Sequence, residues 1–142
     1  MTITNTNLFS ESYNAVNTFL KTISDPRSRF KANWIHASMP NINSKGFDGY
    51  PFMVIKLDVN EDNKSFDNST SQKIFRVLVS VYSDDASQVD TIADSIFSSF
   101  KSVTDFQGRE MSSSPMAWNL DLNGKKISYR NLGFIMRNRI WY

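Results

Sequence analysis

The stretch from Lys73 to Tyr82 constrains this chain most, because it is apolar on both sides of a two-residue period. Phe75, Val77, Val79 and Val81 fall on one face; Ile74, Leu78 and Tyr82 share the other with Arg76 and Ser80. A strand with apolar residues on both faces belongs inside a sheet rather than at its edge. The chain around it has 142 residues, which suits one domain burying roughly 70% of its extended surface without a disulfide or metal staple.

Further strands follow from the same alternation. Tyr50 to Val59 puts Met53, Ile55, Leu57 and Val59 on one face and Val54, Lys56 and Asp58 on the other, with Pro51 tolerated at the first residue. Trp34-Ile35-His36-Ala37 reads as a short strand before a turn at Pro40. Met116, Trp118, Leu120 and Leu122 alternate into Asn123-Gly124, the preferred pair for a two-residue type I′ hairpin, and Lys125 to Arg130 returns from it. After Asn131-Leu132-Gly133 comes a last strand, Phe134 to Tyr142. Phe134, Met136 and Ile140 lie on one face of it, opposite Arg137, Arg139 and Trp141.

Two segments carry a helical period instead. Between Phe9 and Ile23, Tyr13, Val16, Leu20 and Ile23 form one stripe, with Ser10 as N-cap, Glu11 near the positive start and Asp25-Pro26 as the stop. In the second, Asp85 and Gln88 have capping-box spacing after Ser83-Asp84, and Val89, Ile92, Ala93, Ile96, Phe97, Phe100 and Val103 repeat every 3.6 residues. The order helix, strands, helix, strands, with hairpin links, predicts a single α+β domain over residues 1–142: a mostly antiparallel sheet with two helices packed on one face. A polar arm over residues 1–8 and a protruding polar loop from Asn60 to Gln72, with Phe66 as its one aromatic, complete the expected organisation.

The residue inventory excludes most site chemistry. With no cysteine there is no thiolate metal site and no thiol nucleophile. The single histidine, His36, sits in an expected strand without a local nucleophile or carboxylate and reads as structural. Asp84-Asp85 is accounted for by helix capping, and Asp58 to Asn63 lacks the mid-loop glycine and distal glutamate of a calcium loop. No glycine-rich phosphate cradle or G-x-S-x-G elbow occurs. The expectation is a non-enzyme with no catalytic, cofactor or metal residues. No apolar run approaches 18 residues, so no membrane partner is expected, and the start has neither the basic residues nor the apolar block of a signal peptide.

Sixteen basic and fourteen acidic residues leave a net charge of +2, too balanced to single out nucleic acid. Their distribution is uneven: residues 1–100 carry nine basic and eleven acidic groups, residues 101–142 seven and three. Lys125, Lys126, Arg130, Arg137 and Arg139, near Tyr129 and Trp141, form one cluster of cations and aromatics. Such a cluster suits a protein interface, a single-stranded nucleic acid or simply a wet strand face. Phe66, Arg130, Arg137, Arg139, Trp141 and Tyr142 are the candidate interface residues.

The ordered segments Ile23-Ser24-Asp25-Pro26-Arg27, Trp34-Ile35, Gly49-Tyr50-Pro51-Phe52, Val79-Ser80-Val81-Tyr82-Ser83, Asp90 to Ile96 and Arg137 to Tyr142 run through nearly the whole chain. In that order they resemble the tail terminator (tail completion, head-to-tail joining) proteins of long-tailed bacteriophages, the lambda-type group. The resemblance implies a virion protein of the tail and neck, assembled in the host cytoplasm as a homo-hexameric ring on the tail tube. Its partners would be its own copies, the tail tube protein and the head–tail connector protein, with nucleic acid only passing through the ring. No catalytic residue is implied. A head-completion adaptor of the neck and a small nucleic-acid-binding module are the alternatives.

Overall fold

The computed structural model describes residues 8–29, 34–64, 70–100 and 108–141. Its elements in chain order are α1 (Leu8–Leu20), β1 (Ile35–His36), β2 (Phe52–Lys64), β3 (Thr70–Ser83), α2 (Ala86–Phe100), β4 (Gly108–Ser113), β5 (Ala117–Leu120) and β6 (Lys126–Trp141). The strands form one six-stranded sheet in the order β1-β2-β3-β6-β4, with β5 pairing β6 beyond the end of β4. Every pair is antiparallel except β1 with β2. This is the expected α+β domain, and β3 lies at its centre, between β2 and β6.

One face of the sheet carries the core. Val77, Val79 and Val81 of β3 stand in register with Leu57, Ile55 and Met53 of β2, and Val79 and Val77 with Leu132 and Phe134 of β6. Ala15, Val16 and Leu20 of α1 and Val89, Ile92, Ala93, Ile96 and Phe100 of α2 belong to the same buried cluster. The Phe19 ring of α1 meets the Phe100 ring of α2 edge-on at 5.8 Å, and Phe100 packs on Phe134 of β6 at 4.7 Å, so one aromatic chain ties α1 to α2 and α2 to the sheet.

Several boundaries differ from expectation. The loop expected from Asn60 to Gln72 is mostly ladder: β2 runs to Lys64 and β3 starts at Thr70, with a register shift between Glu61 and Asn63. Main-chain pairing carries these polar residues, so alternation of apolar side chains is not required. Only 65–69, with Phe66, lie outside the described residues. Asn131-Leu132-Gly133 does not break the last strand either, because Leu132 enters the core and Gly133 leaves room for β4. A Cβ at Gly133 would stand 2.7 Å from the Ser112 hydroxyl oxygen. The strand β4 itself, Gly108 to Ser113, had no signal in the apolar pattern.

The helices also shift. Ser10 lies inside α1, which already begins at Leu8, so it is not the N-cap; residues 1–7 of the expected polar arm lie outside the described residues. The helix closes at Leu20, three residues early, because Thr22 N–H and Oγ both donate to the Phe19 carbonyl and Ile23 N–H donates to Leu20. At α2, Asp85 Oδ1 accepts from Ser87 N–H as a cap should, but the Gln88 side chain does not reach back to the Asp85 N–H: its Oε1 accepts from the Ser83 hydroxyl (2.7 Å).

Candidate functional site

The second face of the sheet is only partly covered, and a groove of about 570 Å³ lies on it. Its floor is an aromatic row across three strands in register. Phe52 stacks on Tyr82 at 4.9 Å, Tyr82 stacks on Tyr129 at 5.4 Å, and Tyr50 extends the row beyond Phe52 at 5.5 Å. Next to it Ser80 donates from its hydroxyl to Asn131 Oδ1 (2.7 Å), while Leu78, Lys56 and Ile127 complete the floor. Burial raises the Tyr82 hydroxyl above the usual phenol value, aided by neighbouring Tyr129 and opposed by a hydrogen bond with Ser80.

One wall is the segment after β1, with Met39, Pro40 and Ile42. Its far end is held by a knot centred on Asp25. Arg29 grips the Asp25 carboxylate through Nε (2.8 Å) and Nη2 (3.0 Å), and the Arg27 and Arg29 backbone N–H groups donate to it as well. The remaining guanidinium donors of Arg29 reach the carbonyls of Gly49 and Pro51, and Arg27 Nη1 those of Asp48 and Tyr50. Both side chains of the ion pair are only 7% exposed. Burial alone would push the Asp25 carboxyl up, yet the hydrogen bonds from Arg29 and from the two backbone amides hold it below its ordinary value. Gly49 is required here, since its φ is +84° and a Cβ would collide with Arg27 Nη1.

The other wall is the β5–β6 hairpin. It is not the two-residue type I′ turn that Asn123-Gly124 suggests. Asp121 N–H donates to the Lys125 carbonyl, Gly124 N–H donates to Asp121, and of the turn residues only Gly124 has positive φ (+78°). That is a three-residue loop ending in a left-handed glycine. Asp121 Oδ1 selects it by accepting from the N–H groups of Asn123 (2.8 Å) and Lys125 (2.9 Å). The Lys125 amide first, and then those of Asn123 and the Tyr50 hydroxyl, overcome partial burial and hold the Asp121 carboxyl below its usual range.

The two walls are joined at one end. Tyr50 donates its hydroxyl to Asp121 Oδ2 (3.1 Å), and Asn123 Nδ2 donates to Asn43 Oδ1 (3.4 Å). Burial, together with the hydrogen bond and charge of Asp121, pushes the Tyr50 hydroxyl up to about 12. The rim above is apolar and open. Met39 is 58% exposed, Leu120 58% and Leu122 76%, with Trp118 (60%) beside them under the Lys126 ammonium. The Trp118-Leu120-Leu122 alternation thus marks exposed residues; of that stripe only Met116 packs against the core.

The expected site residues are distributed differently. Arg130 is held within the chain, by Asp90 on α2 (2.7 Å) and by the Ser114 carbonyl between β4 and β5 (3.0 Å). Arg137, Arg139 and Trp141 occupy ladder positions opposite Ile74, Gln72 and Thr70, while their side chains, like Phe66 and Tyr142 entirely, lie outside the described residues. The groove was not legible as a site, since its floor comes from three strands far apart in the chain. The Asp25-Pro26-Arg27 and Gly49-Tyr50-Pro51 segments were visible as motifs but not as partners.

His36 is half-buried and meets the Phe52 ring edge-on; burial and the nearby Arg29 lower its pKa, against the pull of Asp48. Asp84 pairs with Lys125 (2.7 Å), and Asp85 caps α2. Among the described residues, no three His, Asp or Glu side chains stand together as a metal site, and no helix is long and apolar enough to cross a membrane. The groove is chemically a receptacle for an apolar or aromatic group with a few hydrogen-bonding atoms around it. No family model matches the chain, and no curated protein matches it.

Proposed function

We propose that the chain is a bacteriophage virion protein, a tail terminator that caps the tail tube as a homo-hexameric ring and joins it to the head connector. The reading starts from the ordered segments that resemble that group. The observation that carries it further is the placement of two unlike surfaces at opposite ends of one sheet. At one end is an open groove with an apolar rim; at the other the β2–β3 ladder runs on through polar residues to Lys64 and Thr70. A closed ring of identical subunits needs such unlike surfaces, because each contact joins one patch to a different patch on the next copy.

The test is electron microscopy of the purified protein mixed with tail tubes, together with a knockout phage. Rings and capped tube ends are expected, and the knockout should make tails of uncontrolled length. Free tails of normal length beside leaking heads would instead place the protein on the head side, as a neck adaptor. The nucleic-acid reading is weakened by the engagement of Arg130 with Asp90 and Ser114.

A further inference from the structure

The groove and the hairpin end that joins β2 to β3 belong to the same strands, yet they are too far apart to meet within one copy. The groove floor uses Phe52 at the start of β2 and Tyr82 near the end of β3, whereas 65–69 connect Lys64 to Thr70 at the opposite ends. The floor residue nearest that end is Lys56, eight residues from Lys64, and at about 3.3 Å per residue the separation is still roughly 26 Å. Whatever the hairpin end touches by its own reach, it is not its own groove.

We infer that the groove receives the 60–69 segment of a second copy, with Phe66 as the group that enters it. The inference rests on the ring reading above and gives that ring its contact. Three observations select this occupant. First, the groove asks for an aromatic or apolar group, and within NEDNKSFDNS the only such side chain is Phe66. Second, this segment carries three acidic residues and one basic residue, while Lys56 on the groove floor and Lys126 beside its rim present cations, and the Asp121 carboxylate of the lining is already engaged by the Tyr50 hydroxyl and the Asn123 and Lys125 amides. Third, the distance between the two surfaces means that another copy must supply the segment, by a head-to-tail contact that can close as a ring or by reciprocal exchange between two copies; the ring reading selects the first.

A single hairpin end in a groove covers less than the roughly 1,000 Å² typical of a stable interface. The contact is therefore weak between two free copies and becomes strong when several act together in a closed ring. Covalent trapping detects it at either strength, and the cysteine-free chain gives a clean background. A Ser65→Cys copy is mixed with a Leu122→Cys copy under mild oxidation. Disulfide-linked dimers should form at least tenfold faster than between Ser65→Cys and Ser98→Cys, the latter exposed on α2.

Adding Phe66→Ser to the Ser65→Cys copy should slow trapping several-fold, as should high salt. A chain with both cysteines should give a ladder of oligomers. Equal rates with Ser98→Cys would overturn the inference, as would a Leu122→Cys homodimer forming faster than the mixed pair, which would seat groove on groove. Trapped dimers without capped tubes would leave the contact and remove the terminator reading; capped tubes without trapped dimers would do the reverse.

Discussion

The two faces of β3 began with similar side chains and ended in different environments. Val77, Val79 and Val81 lie under α1 and α2 in a dry core, with Val79 only 1% exposed. On the reverse, Leu78, Ser80 and Tyr82 form the floor of a groove that the 39–50 segment and the β5–β6 hairpin wall in without roofing. A strand apolar on both sides therefore does not require two complete covering layers. Aromatic stacking and a Ser80–Asn131 hydrogen bond stabilise the second face while leaving it able to take a further group.

The largest test of this contrast is Val79→Asp. An unpaired carboxylate under both helices should abolish the cooperative thermal transition, a loss of about 4 kcal/mol or more. A parent-like melt would mean that the covered face is not a core. Next comes Asp25→Asn, which leaves the Arg29 guanidinium buried without its counter-charge and should cost about 3 kcal/mol in urea unfolding. The sign of its pH dependence is fixed: the folded-state pKa lies below the ordinary 3.8, so the stabilisation is complete above that range. It is lost as the pH falls through the folded value, and the variant should lack this part of acid unfolding.

Smaller effects belong to the groove. Gly124→Ala forces a side chain into the left-handed region and should cost roughly 1–2 kcal/mol, loosening one wall. Leu122→Ser, at the exposed rim, should move stability by no more than about 0.5 kcal/mol. A large loss from Leu122→Ser would mean that the rim is already packed and the two faces are alike.

Much of the architecture was legible because period-2 and period-3.6 patterns report directly which faces are buried. The centrality of β3, the stripe of α2 and the face shared by Met53, Ile55 and Leu57 all follow from that. Where pairing is carried by main chain alone the pattern falls silent, which hid β4 and the strand residues between Asn60 and Lys64. The hairpin misled for a related reason: Asn123-Gly124 is a local preference, and the Asp121 carboxylate two residues earlier overrode it with two backbone hydrogen bonds.

Taken alone, the order of residues determined the α+β class, the identity of the central strand and the stripe of α2, since each depends on composition or near-neighbour spacing. Only the tertiary structure decided that Tyr50, Phe52, Tyr82 and Tyr129 would stand in one row, that Asp25 would anchor a segment more than twenty residues away, and that Leu120 and Leu122 would face solvent. Those outcomes depend on strand register and on which surfaces the helices reach, and contacts between residues distant in the chain have no periodicity by which to announce themselves.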